Sequence, residues 1–291
     1  MGSNENRVVL GDNLDVLLDV PDGSVDLVYI DPPFNTGKRQ KHVRTRAVRD
    51  DEKGTRVGFR QRRYRTESHV SASFEDAFDD FQAFLRPRLE EAARILTPSG
   101  SFFLHIDYRE AHYCKVACDE VFGRDSFMNE IVWAYDYGAR SKKRWPAKHD
   151  SIFWYAKNPR DYAFDYEAMD RIPYMAPKLA GKEKAARGKT PTDVWWHTIV
   201  APGGSERTGY ATQKPLGILE RIIKVHSTEG DLVCDFFAGS GTTGEAAAKN
   251  GRRFLLVDSN PEAITVMRER LADYSPEFSK ARRRSAPARR S

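Results

Sequence analysis

Ten residues near the C-terminus, Asp235-Phe236-Phe237-Ala238-Gly239-Ser240-Gly241-Thr242-Thr243-Gly244, constrain the fold of this chain more than any other stretch. They close an apolar run, Leu232 to Phe237, and open a helical pattern, Thr243 to Asn250; Asp258 ends the next apolar run, nineteen residues after Gly239. A strand that enters a helix through glycines brings backbone close to a ligand and points unpaired helix N–H groups at it, and an acid after the following strand can take ribose hydroxyls. The pattern predicts a nucleoside cofactor on an α/β sheet. Taken literally, Gly239-x-Gly241-x-x-Gly244 is a dinucleotide fingerprint, which makes an NAD-dependent enzyme one reading. Only 47 residues follow Gly244, too few for a full dinucleotide-binding domain. The remaining strands must therefore come from the N-terminal half, with the usual motif order permuted.

The rest of the chain supplies them. Apolar runs bounded by turn residues recur at Arg7 to Leu10, Val25 to Ile30, Ser101 to Ile106, Ile131 to Tyr135, Ile152 to Tyr155, Leu232 to Phe237 and Arg253 to Val257. Their Val, Ile and Phe content suits strands covered on both faces. Helical patterns alternate with them: Phe74 to Leu96, with Pro87 marking a break or a second start, then Arg109 to Phe122, Leu216 to Ser227, Thr243 to Asn250 and Pro261 to Tyr274. The expected fold is α/β, a Rossmann-like, seven-stranded, mostly parallel sheet in permuted order. Residues 1–157 would form the N-terminal part of the catalytic domain, 158–210 an inserted region rich in Trp, Pro and Gly, 211–278 the cofactor-binding part, and 279–291 a tail.

Charge is unevenly spread along these 291 residues. A net +5 divides into +8 on an arm at 36–70, +6 on the tail at 279–291 and −9 on everything else. Two basic appendages on an acidic body fit polyanion-binding arms. No apolar run approaches the roughly 18 residues that span a bilayer, and the polar start at Met1 lacks a signal-peptide core, so no membrane partner and a cytoplasmic location are expected. Cys114, Cys118 and Cys234 form no Cys-x-x-Cys pair and the seven histidines no ligand cluster, so no metal is expected.

A second motif stands near the N-terminus. Asp26-Leu27-Val28-Tyr29-Ile30-Asp31-Pro32-Pro33-Phe34-Asn35 runs a buried strand into a turn whose two prolines fix φ and remove competing N–H donors. Such a corner can aim the Asp31 carboxylate and the Pro32 carbonyl at one planar amino group, with the Phe34 ring beside it. A plain Asp-Pro turn would account for it equally well in isolation.

Together the two motifs make the chain resemble the beta class of amino-group DNA methyltransferases that use S-adenosylmethionine, in which the Asp-Pro-Pro-aromatic motif comes first, a target-recognition region follows and the glycine motif comes last. The resemblance extends to Gly11-Asp12-Asn13, Phe103-Leu104-His105-Ile106-Asp107, Val121-Phe122-Gly123, His149-Asp150-Ser151-Ile152 and Thr212-Gln213-Lys214-Pro215. It implies a catalytic corner of Asp31, Pro32, Pro33 and Phe34, with Asp31 on the target amino group and Phe34 stacked on a flipped base. It implies that Phe237, Ala238, Gly239, Gly241 and Thr242 surround the methionine part of the cofactor, that Asp235 belongs to the same cofactor site, that Asp258 holds the ribose, that Asp12 lies near the adenine and Lys214 near the methionine end. Residues 158–210 would be the target-recognition region. The arm at 36–70 is longer and more charged than that region of the family, and its role stays open.

The implied reaction moves a sulfonium methyl directly to an exocyclic amino nitrogen of double-stranded DNA, with no covalent enzyme intermediate. All three cysteines lack the preceding proline that a carbon-5 cytosine nucleophile carries, and each is expected in the core. DNA contacts are expected from Arg39, Arg62 and Arg63 on the arm and from Arg140, Lys142, Lys143, Arg144 and Lys148, interleaved with Tyr135, Tyr137 and Trp145. Adenine is favoured as the target because Asp at the first motif position is commoner in the adenine enzymes, with cytosine N4 the alternative. An RNA or protein amide methyltransferase and a non-catalytic DNA-binding protein remain as rivals. A homodimer and a cognate restriction endonuclease are partners on which the sequence does not choose.

Overall fold

The computed structural model describes residues 6–49, 56–57, 63–76, 78–138, 140–201 and 203–281. In chain order they form β1 (Arg7–Leu10), α1 (Asn13–Leu17), β2 (Val25–Ile30), β3 (Lys38–Arg49), β4 (Arg56–Val57), β5 (Arg63–Asp76), α2 (Phe81–Ile95), β6 (Leu96–Asp107), α3 (Ala111–Phe122), β7 (Phe127–Ala134) and β8 (His149–Ala156). There follow α4 (Pro177–Ala180), α5 (Lys182–Arg187), β9 (Val194–Trp196), α6 (Leu216–His226), β10 (Leu232–Asp235), α7 (Thr242–Lys249), β11 (Arg253–Asp258), α8 (Pro261–Arg270) and β12 (Glu277–Lys280).

The main sheet runs β12-β1-β11-β10-β2-β6-β8-β7-β9 and is parallel from β12 to β6, with β8 antiparallel to both of its neighbours. All seven strands expected from the apolar runs are in it. Two short edge strands, β12 and β9, extend it to nine. β9 is only three residues long and β12, Glu-Phe-Ser-Lys, is mostly polar, so neither stands out by composition. In β12, Ser279 and Lys280 pair with Val9 and Leu10, so the first residues of the basic tail belong to the sheet, while 282–291 lie outside the described residues.

Successive residues of each strand serve opposite faces, as the pleat requires. Val9, Val28, Ile30, Phe102, Leu104 and Val257 pack with Leu85 and Leu89 of α2 and Cys114 and Cys118 of α3. Val8, Leu27, Tyr29, Phe103 and Leu256 pack with Ile218 and Ile222 of α6, Ala246 of α7 and Met267 of α8. Both faces are covered, which explains the near-continuous apolar runs. All three cysteines are buried, and burial raises their thiols, Cys114 to about 12. None is available as a thiolate.

Two local expectations are corrected. Residues Phe74 to Asp76 finish β5, and the helix starts only at Phe81, where Asp80 Oδ1 accepts the Ala83 N–H at 2.9 Å. Pro87 then sits inside an unbroken α2, held by Phe81, Leu85, Leu89 and Ala92 in the core and by Arg88, whose Nη1 donates to the Phe84 carbonyl at 2.6 Å. The basic arm contains β3, β4 and β5, a separate antiparallel ribbon in the order β3-β5-β4. Its register starts at Lys38↔Asp76 and runs to Arg49↔Tyr64.

Candidate active site

In an open parallel sheet, ligands collect beyond the carboxyl ends of the strands. Here β10 lies beside β2, with Val233 opposite Leu27 and Cys234 opposite Val28. That pairing delivers the Asp31 corner and the glycine loop, from opposite ends of the chain, to one place. A cavity of about 330 Å³ opens between them. It is lined by Asp31, Pro32, Pro33 and Phe34, by Phe237, Ala238, Gly239, Ser240 and Thr242, and by Asp12, Asp235, Asp258, Arg88, Tyr210 and Lys214.

The glycine loop has its shape for reasons visible residue by residue. Gly239 and Gly241 have φ of +50° and +76°. A Cβ on Gly241 would stand 2.7 Å from Met267 Cγ, and one on Gly239 would stand 3.2 Å from the Tyr210 ring. Gly244 has a different task, since a Cβ there would meet Leu256 at 2.6 Å; its role is close packing of α7 on the sheet. Asp235 is buried and accepts from the Thr243 hydroxyl at 2.6 Å and the Phe237 N–H at 2.9 Å, so it braces the loop from beneath. Asp258 takes the Gly239 N–H on one oxygen and the Asn260 N–H on the other, both at 2.8 Å. It therefore shapes the loop as well as lining the cavity, with the second lone pair on each oxygen left for a ligand.

Burial, with the charges of Asp31 and Asp258 adding to it, pushes Asp235 up to about 7 against its two hydrogen bonds. The folded protein thus holds this proton to higher pH than the unfolded chain. Its stability is undiminished below the ordinary value of 3.8 and falls as pH rises through about 7. Asp235→Asn is expected to flatten the loss of melting temperature between about pH 4 and pH 7. Parallel pH profiles of the two proteins would show that this carboxyl is not the source.

Asp31 pairs with Lys214 through Oδ2, and both side chains are largely buried, at 15% and 13% exposed. Its other oxygen, Oδ1, is buried with no hydrogen-bond partner among the described residues. Lys214 Nζ also lies 4.8 Å from the centre of the Phe34 ring. Behind the corner, Tyr29 Oη and His105 Nδ1 are 2.7 Å apart, His105 Nε2 is 3.2 Å from Asp150 Oδ2, and Tyr135 donates to Asp150 Oδ1 at 3.2 Å. Burial pulls Asp150 upward, but His105, Lys214 and Tyr135 outweigh it and hold the carboxyl below its ordinary value. His105 is fully buried in this chain of contacts and packs 6.0 Å from Phe34.

The corner is fixed by residues that carry no motif signal. Asp76, the last residue of β5, accepts the Asn35 N–H at 2.8 Å and the Thr36 hydroxyl at 2.5 Å, and its carbonyl accepts the Gly37 N–H at 2.8 Å. Asn35 has φ of +53° and accepts the Phe78 N–H at 3.0 Å. Asp76→Ala leaves the half-buried Asn35 N–H and Thr36 hydroxyl unmatched and is expected to destabilise the protein by about 1–2 kcal/mol, read as a lower denaturation midpoint; an unchanged midpoint contradicts the clamp.

Across the cavity, Asp12 caps α1 through the Leu14 N–H at 2.9 Å. The next residue, Asn13, donates to the Phe236 carbonyl at 3.0 Å and accepts from Arg88 Nε at 2.8 Å. Burial lowers Arg88 from its ordinary value, with Asp12 opposing. A buried arginine in an amphipathic helix gives no sign in sequence of the loop it supports.

A second cleft, of about 750 Å³, adjoins the first and shares Phe34, Tyr210, Thr212 and Lys214 with it. Trp133, Tyr135, Tyr137, Arg109, Arg140, Arg144 and Arg207 line its walls. Arg140, Lys142, Lys143 and Arg144 are exposed on the loop between β7 and β8, free of ion pairs among the described residues. Lys148 differs from them: its ammonium is bound by the carbonyls of Tyr137 at 2.7 Å and Gly138 at 3.2 Å, so it closes the loop. Arg39 and Arg63 fall on the backbone of β3 and β5, and Arg62 lies outside the described residues. Among the described residues no three His, Cys, Asp or Glu side chains gather as metal ligands, and no helix is long and apolar enough to cross a membrane.

Comparison with known proteins agrees with this geometry. Residues 25–269 match the family model described as DNA methylase. The chain is 27% identical over 267 residues to the type II methyltransferase M.HpaI of Haemophilus parainfluenzae, covering 92% of this chain and 74% of that protein. It is 28% identical over 283 residues to the DNA adenine methyltransferase YhdJ of Escherichia coli K12, covering 93% and 84%. Among solved structures, a putative DNA modification methylase of Thermus thermophilus, complexed with S-adenosyl-L-methionine, superposes with a TM-score of 0.58 at 23% identity over 96% of this chain and 99% of its own.

Proposed function

The chain belongs to the DNA methylase family, and from that premise we propose that it transfers a methyl group from S-adenosylmethionine to the N6 amino group of adenine in double-stranded DNA. The observation that carries the proposal is Asp31 Oδ1, buried in the smaller cavity without a hydrogen-bond partner among the described residues, on a carboxylate paired with Lys214, which lines both the cavity and the wider cleft. An acceptor-only atom at that point suits an incoming N–H donor.

The smaller cavity fits the methyl donor. Five carboxylates line it, from Asp12, Asp31, Asp76, Asp235 and Asp258, against two cations, Arg88 and Lys214, an excess of negative charge that suits a sulfonium ligand. The left-handed backbone at Gly239 and Gly241 gives the loop the path by which Gly239, Ser240 and Thr242 line the cavity. Gly239, Ser240 and Thr242 would hold its amino-acid end with Lys214, and Asp258 its ribose. When bound, S-adenosylmethionine supplies an electrophilic methyl group.

The chain's own residues prepare the nucleophile. The lone pair of an aromatic amino nitrogen is delocalised into the ring, so the nitrogen attacks poorly while it stays planar. Lys214 engages Asp31 Oδ2 and thereby fixes which oxygen faces the substrate. Oδ1 and the Pro32 carbonyl accept the two amino hydrogens, draw them out of plane and return the lone pair to nitrogen for in-line attack. Phe34 stacks on the extruded base and offsets part of an unstacking cost of roughly a few kcal/mol. The cleft beyond would hold the base, and the proton that nitrogen loses as it gains the methyl group would pass to the Asp31 carboxylate and on to water.

Adenine is preferred over cytosine on two grounds: the acid at the first position of the motif, and the adenine specificity in the name of the E. coli relative, with which the chain aligns over 93% of its length. Sequence reading is assigned to residues 158–210. Mass spectrometry of nucleosides from DNA methylated by the purified protein is expected to show N6-methyladenine, and N4-methylcytosine in its place would overturn the assignment. Single-molecule sequencing of the same DNA gives the recognition site.

A further inference from the structure

We propose that Trp145 is a wedge that enters the DNA stack beside the target nucleotide and holds open the gap left when the base swings into the cleft. The inference rests on the methyltransferase reading and extends it to a residue outside the catalytic corner.

Trp145 is 94% exposed, the most exposed aromatic side chain among the described residues. A ring this size is normally placed in a core or an interface. Its surroundings are specific. Arg140, Lys142, Lys143 and Arg144 precede it, all exposed and free of ion pairs among the described residues, so the indole stands at the end of a short cationic track. Its two chain neighbours, Arg144 and Pro146, line the wider cleft together with Phe34 and Lys214, whereas Trp145 itself points out of it. A duplex lying over the cleft mouth would therefore meet the indole at the rim, next to the base that enters.

The loop is built to hold that position. Lys148 clamps the carbonyls of Tyr137 and Gly138, and the Tyr135 N–H donates to the Lys148 carbonyl at 3.0 Å, closing the base of the loop. Ser141 Oγ accepts the N–H groups of Lys143 and Arg144, both at 3.2 Å. Pro146 restricts the backbone of Trp145 to extended conformations. An indole has only two rotatable bonds, so little freedom is lost when it inserts. Apolar side chains that part base steps act this way in proteins that deform DNA, and cations on either side take the flanking phosphates. The other strongly exposed indole, Trp196, lies on β9 between Trp195 and His197, with no such cationic run. Tyr137 lines the cleft interior, the place of the extruded base.

A wedge has a signature that a phosphate contact lacks: it matters only while the target base must be pulled from a pair. Two duplexes carrying the recognition site obtained by single-molecule sequencing distinguish the two roles, one fully paired and one with the target base opposite an abasic position. With Trp145→Ala, single-turnover methyl transfer is expected to fall roughly 10- to 100-fold on the paired duplex and to stay within about twofold of wild type on the abasic duplex. Trp145→Phe, which keeps a stacking ring, is expected to retain most of the paired-duplex rate. With 2-aminopurine as the target base, the fluorescence gain on binding should shrink for Trp145→Ala on the paired duplex. Equal losses on both duplexes, or no loss on either, overturn the proposal. Wild-type protein that methylates neither duplex overturns the methyltransferase reading itself, which separates the two failures. At 94% exposed the side chain has little packing to lose among the described residues, and an unchanged melting temperature verifies that Trp145→Ala is folded.

Discussion

Asp31→Ala is expected to reduce methyl transfer by at least about 100- to 1000-fold while leaving cofactor affinity within a few-fold of wild type. The size follows from removing a preorganised acceptor that acts on the reacting nitrogen. Selectivity for the chemical step follows from position: Asp31 directly follows β2 and lines the small cavity, paired with Lys214, which also lines the wider cleft. A second effect must be kept apart from the first. Asp31 is the ion-pair partner of Lys214, and the alanine variant leaves a largely buried ammonium without its counter-charge, a destabilisation of the order of 3 kcal/mol. Asp31→Asn separates the two contributions, since it retains an acceptor oxygen but no charge. Calorimetric titration with S-adenosylmethionine and single-turnover rates on all three proteins supply the comparison. An alanine variant that is folded and fully active would remove Asp31 from the mechanism.

Gly241→Val is expected to weaken cofactor binding by about 30-fold or more. The backbone there has φ of +76°, which costs an L-residue roughly 1–2 kcal/mol, and a β-branched one more. The added Cβ would also stand 2.7 Å from Met267 Cγ in the core beneath the loop, an overpacking cost of about 1–3 kcal/mol. Moving α8 would disturb the core that Met267 shares with Leu256 and Ala246. The loop yields more easily, and with it the backbone of Gly239 and Ser240 that lines the cavity. Gly203→Ala is the control, because that glycine has open space around it and no left-handed backbone. Binding by Gly241→Val that matches Gly203→Ala would show that the loop tolerates the side chain.

The cofactor loop and the catalytic corner were legible in sequence because each lies at the carboxyl end of a strong apolar strand, where type and spacing of residues carry the chemistry. Their meeting depended on β10 lying next to β2, which permuted motif order implies only if the N-terminal strands complete the sheet. The ribbon was not legible. Half of β3 is Arg or Lys, in β5 only Val70, Ala72 and Phe74 alternate with polar residues, and pairing such as Lys38 with Asp76 is set by partners distant in sequence. Asn13, Arg88, Asp76 and the His105–Asp150 contact were hidden for the same reason, since each acts through an atom that the fold brings from elsewhere. Lys148 shows the converse: its composition suggested phosphate, and its geometry gives it to two carbonyls of its own loop.

The ribbon leaves the catalytic corner at Gly37 and returns at Asp76, and one backbone hydrogen bond of 2.8 Å joins its two ends. Everything beyond that bond can change in length, charge or register without altering the separation of Asn35 from Phe78, which is set by their own hydrogen bond. The ribbon is thus a cassette with a standard fitting. Related chains can exchange it for a turn, or for a ribbon of different charge, while the corner that its fitting holds stays the same.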